Sequence, residues 1–131
     1  MATAANAPRV TGISTRALVQ TGDNVMIGGF IIQGDTPLTV VVRARGPSLN
    51  LAGALADPTM TIVPASGAPS LLNDDWLSDS NAGALQASGF APAHPKEAAI
   101  LVTLNPGAYT AIVSGVGGTT GVAIVEVYVV D

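Results

Sequence analysis

The chain has no cysteine among its 131 residues, which excludes disulfide staples and any metal site built on thiolates. It is also short of charge: Asp, Glu, Lys and Arg together make up 11% of the residues, against about 25% in an average soluble domain. Lysine occurs once, at Lys96, and the net charge is −4. Binding nucleic acid needs clustered cations to meet the phosphates, so no nucleic-acid partner is expected. Aromatics stand at only 4%. That scarcity argues against a glycosidase cleft pairing Asp74 or Asp75 with Glu97 or Glu126, because such clefts are lined with aromatic platforms. Every apolar run is broken by Gly, Pro or Asp well short of the ~20 residues a helix needs to span a bilayer, so no membrane span is expected. Residues 1–8 have neither the basic start nor the apolar centre of a secretion signal. They read as a flexible N-terminal arm ahead of a single domain over residues 9–131, on a chain that is either intracellular or a processed or recombinant mature form.

What the chain does have is alternation. Side chains of a strand point to opposite faces in turn, so apolar residues two apart mark a half-buried strand. Tyr109, Ala111 and Val113 share one face of such a run, and Ala123, Val125, Val127 and Val129 form an apolar face in the last one. Leu38 to Arg45 alternates Val40, Val42 and Ala44 against Val41, Arg43 and Arg45. Val25 to Gln33 is apolar on both faces, which predicts a strand covered on both sides, the second cover coming from elsewhere in the chain or from another subunit. Turn residues at short intervals separate about seven to nine strands. Ser80 or Asn81 starts one short helix that Gly89 ends. The fold class is therefore all-β, a Greek-key or jelly-roll β-sandwich with at most one short helix.

Leu104-Asn105-Pro106-Gly107-Ala108-Tyr109 is the most specific local signal. Pro106 and Gly107 end one strand and turn the backbone toward the next, and a Tyr two residues later can bond back to the backbone. This spacing resembles the tyrosine corner of Greek-key proteins, which locks a crossover between sheets. Gly115 to Gly121 superficially resembles a phosphate cradle. A strand follows it rather than a helix, however, so it reads as a hairpin loop.

Candidate chemistry is sparse. His94 lies between Ala93 and Pro95, and no serine sits in a Gly-x-Ser-x-Gly elbow, so a Ser-His enzyme is not expected. Asn73, Asp74, Asp75 and Asp79 offer hard oxygen ligands in one loop, the donor type calcium takes. Asx turns and helix capping explain the same residues, because Asn and Asp readily bond nearby amides. Trp76 beside the two carboxylates suits either sugar stacking or the sandwich core. Arg43 and Arg45 share a face and are expected to pair with Asp57 or Glu126. Sheet edges are usually guarded by lysines, inward charges or prolines. Long neutral strands with a single lysine in the whole chain leave these edges poorly guarded, so they are expected to be covered by the chain's own arm or by a neighbour through β-strand addition; a self-contained monomer with Thr, Ser and Ala on its outer faces is the alternative.

Read in order, Ser14-Thr15-Arg16, Thr21 to Phe30, Val42 to Leu49, Asn73-Asp74-Asp75-Trp76 and Pro106 to Val113 resemble an uncharacterised module of bacterial secreted and cell-surface proteins. The second half is similar to the pre-peptidase C-terminal type of β-sandwich. That resemblance implies a noncatalytic extracellular or cell-surface module, with no catalytic residue to carry over. The expected function is structural, a fibre or surface-assembly subunit forming a homo-oligomer or polymer. A calcium-assisted carbohydrate-binding module, with polysaccharide as partner, is the alternative.

Overall fold

A computed structural model describes residues 9–11, 15–78 and 80–130. The expectations for the arm over 1–8 and for Asp79 fall outside the described residues. Period-two patterning produces nine strands: β1 (Arg9–Thr11), β2 (Thr15–Val19), β3 (Met26–Gln33), β4 (Leu38–Arg45), β5 (Pro58–Pro64), β6 (Leu71–Asn73), β7 (Ala98–Leu104), β8 (Gly107–Gly115) and β9 (Gly121–Val129). One helix, α1 (Ala82–Ser88), follows Asn81 and ends at Gly89, which takes the left-handed conformation at φ 84° that glycine adopts without strain.

The strands form two antiparallel sheets, ordered β1-β3-β8-β5-β6 and β2-β9-β4-β7. Apart from the β5–β6 hairpin, every connection from β2 onward passes from one sheet to the other. Leaving β1 aside, the four-over-four arrangement is that of a jelly roll. Inward residues meet between the sheets: Met26, Phe30 and Ile32 from β3, Val40, Val42 and Ala44 from β4, Met60 and Ile62 from β5, with Tyr109, Ala111 and Val113 from β8. Each large aliphatic buried there contributes about 1.5–3 kcal/mol relative to its exposed state.

The crossover from β7 to β8 is held by the tyrosine corner. Gly107 takes φ 151°, a value open to glycine. The Tyr109 hydroxyl then donates to the Asn105 carbonyl at 2.6 Å while its ring stacks on Phe30.

Several expectations are corrected. The glycine-rich stretch after β8 is not a hairpin loop, because β8 and β9 lie in different sheets. Its last residue, Gly121, is fixed by a close approach: a Cβ there would lie 2.6 Å from the Leu55 amide nitrogen. Leu55, between β4 and β5, is wholly buried in the core. The apolar face of β9 ends at Val127, and Val129 is exposed. No described element covers the outward side of β3, where Ile27 is 61% and Ile31 44% exposed. The covered strand is β4. Its outward Val41 is fully buried with Trp76, Leu85 and Ala99 in a second apolar cluster, roofed by α1 and the proline-set connection before β7.

Candidate functional site

The expected metal loop divides into separate roles. Asn73 closes β6, and its Oδ1 accepts the Ala99 amide at 3.0 Å, tying the edge of one sheet to the edge of the other. Asp79 lies outside the described residues. Asp74 and Asp75 do share a cluster, but their partner is Asp57, whose carboxylate comes within 4.8 Å of theirs. The β5–β6 hairpin produces this meeting, since Met60 pairs with Asn73 and so brings the chain before β5 beside the chain after β6. Asp57 had been expected to pair with the arginines. Glu126 takes both instead, Arg43 Nε at 2.8 Å and Arg45 at 3.5 Å.

Two oxygens of the acidic cluster, Oδ1 of Asp57 and Oδ1 of Asp75, are buried without a hydrogen-bond partner. Buried polar atoms are nearly always satisfied, because an unmet one costs about 1–3 kcal/mol, more if charged. Partial burial, then the charges of Asp75 and Asp57, push the Asp74 carboxyl above its ordinary value. Three hard oxygen donors within 4.8 Å of one another are the donor type a calcium ion takes.

The other functional candidates are structural. Trp76 is 6% exposed, packed outside the four-stranded sheet rather than between the sheets, and its Nε1 donates to the His94 carbonyl. It therefore presents no open ring face for a sugar. His94 accepts the Lys96 amide on Nδ1. Among the described residues, no serine is bonded to its ring. Glu97, fully buried, accepts hydrogen bonds from the Gly46 and Ser48 amides, the Ser48 hydroxyl and the His94 amide. It anchors the turn after β4 and gives no sign of acid-base use.

A second candidate lies where the sheets' ends meet. The seven-residue β7 is an outer strand of its sheet, bonded to β4 on one side. It contains no charge, proline or glycine. Beyond it stands the short β6, three residues long. Two cavities of about 320 and 300 Å³ run beside β7 and share Leu71 and Val102 in their walls. The Asn73 side chain meets the Ala99 amide, and Asn81 Nδ2 donates to the Leu101 carbonyl at 3.2 Å. Backbone groups of alternate residues in an edge strand face away from the sheet, so Ala99, Leu101 and Thr103 present theirs to this groove. The contacts from Asn73 and Asn81 fall on its upstream half.

The architecture has a solved counterpart. The pre-peptidase C-terminal domain of collagenase from Bacillus anthracis superposes with a TM-score of 0.56 over 89% of each chain, at 10% sequence identity. This chain shares that domain's fold. Identity so low carries the fold and nothing finer. No family model matches the chain, and no curated protein matches it. The likeness to pre-peptidase C-terminal domains thus extends from the second half, where the sequence suggested it, to most of the molecule.

Proposed function

We propose that this protein is a noncatalytic, extracellular β-sandwich module that works by self-association through β-strand addition, as a subunit of a fibre or surface assembly. The observation that carries the reading is β7: a long, neutral edge strand with none of the lysines, prolines or inward charges that normally keep an edge from pairing. The site chemistry supports it from the other side, since Glu97 and Glu126 are engaged in hydrogen bonds and ion pairs within the chain. Sedimentation of the purified chain across a wide concentration range tests the proposal. Species growing well beyond the 13.0 kDa monomer are expected. A single monomeric species throughout would overturn the reading.

The two buried, unpartnered oxygens favour a second reading, in which Asp57, Asp74 and Asp75 hold calcium. Calcium sites in extracellular modules bind at roughly 10⁻⁴–10⁻³ M, so millimolar calcium is expected to raise the melting temperature of the native chain and not that of Asp57→Asn. Equal shifts in both proteins would sink the site. Retention on polysaccharide that a chelator abolishes would extend this reading to carbohydrate binding.

A further inference from the structure

Resting on the self-association reading, we infer that the occupant of the groove beside β7 is the segment 1–8 of a second copy, which adds as a strand along Val102–Leu104, downstream of the position Asn81 holds. Three features of the molecule select it. The first is chemistry: the groove is walled by Pro64, Ser66, Ala68, Leu71, Val102 and Leu104, none of them charged. Residues 1–8 are likewise uncharged in their side chains and small apart from Met1. Such a strand can enter a neutral groove without desolvating an unpaired charge, whose burial would be costly.

The second is the state of the acceptor edge. Asn73 and Asn81 side chains occupy positions along the upstream half, at Ala99 and Leu101. The downstream half borders the larger of the two cavities. A short strand, with its alternate side chains turned into that cavity, has room there.

The third is placement, which separates a neighbour's segment from the chain's own. β1, to which residues 1–8 lead, is at one margin of the five-stranded sheet, and β6 is at the other. Four inter-strand steps separate them, about 19 Å at ~4.8 Å each. Eight residues reach roughly 27 Å when fully extended. A molecule's own segment would use most of that length crossing its own sheet, leaving about two residues to pair. A neighbour's segment reaches the groove without that detour. Donor and acceptor then lie at opposite sides of each subunit, so the contact is heterologous, and repeating it builds an open chain of subunits unless the rotation closes a ring.

Two variants divide donor from acceptor. Deleting residues 1–8 leaves an acceptor without a donor. Thr103→Pro removes an amide hydrogen that faces away from β4, so the β4–β7 ladder is spared and edge pairing is blocked. Thermal unfolding of each variant checks that the sandwich is intact. The native chain is expected to sediment at several times 13.0 kDa, and each variant alone at the monomer mass. A mixture of the two is expected to give a one-to-one dimer and nothing larger, since each component has one working half. Should Thr103→Pro fail to fold, a synthetic peptide of residues 1–8 titrated onto the deletion variant serves instead, with saturable binding expected. Assembly of the deletion variant as large as that of the native chain would overturn this inference and leave self-association standing. A native chain that never leaves the monomer would remove both.

Discussion

At the residue scale, single polar atoms hold the corners. Tyr109→Phe removes the hydroxyl that meets the Asn105 carbonyl at 2.6 Å and keeps the ring on Phe30. Urea unfolding should show a loss of about 1 kcal/mol, the worth of a hydrogen bond whose acceptor is near enough to water to be partly re-solvated. Two carboxyls set opposite pH trends. Burial pushes Glu126 up, but the hydrogen bond and charge of Arg43, with help from Tyr128 and Arg45, outweigh it and hold Glu126 below its ordinary value of 4.5. Its contribution to stability is present above that value and is lost as the pH falls through its folded-state value. Asp74 is raised above 3.8, so its folded form binds a proton more readily than the unfolded chain does. Stability from Asp74 is therefore greatest below 3.8 and declines as the pH climbs through the raised value. Melting curves from pH 3 to 6 on Asp74→Asn and on the native chain separate the two: the variant should lose the decline that Asp74 causes and keep the rise due to Glu126. The Tyr109 corner was legible in the sequence because a turn, a proline and a tyrosine at fixed spacing are local. The Asp57 partnership was not, since it depends on a hairpin register seventeen residues long in sequence.

At the element scale, the surprise is what α1 does. A seven-residue helix has little stability of its own, yet Leu85 is fully buried against Val41, Trp76 and Ala99. The helix is kept by this contact and in turn covers the outer side of β4. Leu85→Ala should cost about 2–5 kcal/mol through lost burial and the cavity left behind, with Trp76 fluorescence reporting the change on the same melting curve. Alternation along Leu38–Arg45 showed which residues faced together, and the structure turns Val40, Val42 and Ala44 toward the core. The sequence pattern marked both faces of β3 as apolar and missed the cover over β4, because a run of apolar residues states that a face is hydrophobic without saying what lies against it. On β3 that face is left bare, as Ile27 and Ile31 show.

At the scale of the whole molecule, scarcity of charge is the dominant property. Arg43, Arg45 and Glu126 form a linked network, and the edge proposed to receive a neighbour has no charged side chain. Association through such an edge rests on backbone hydrogen bonds and apolar burial, both insensitive to screening. Raising sodium chloride should therefore leave the assembled fraction in sedimentation nearly unchanged, while sulfate should increase it by strengthening burial. An interface built on ion pairs would instead dissolve with salt.

The amino-acid order by itself determined the strands, the corner at Tyr109, the single short helix and the lack of guarding charge, because each of these is written in contacts between near neighbours or in plain composition. Only the tertiary structure decided which strand became an edge, that Trp76 is enclosed, that Asp57 joins Asp74 and Asp75, and where a groove opens beside β7. Those outcomes depend on how strands distant in sequence are laid side by side, and the pattern of any one segment is compatible with several such arrangements until the whole sandwich closes.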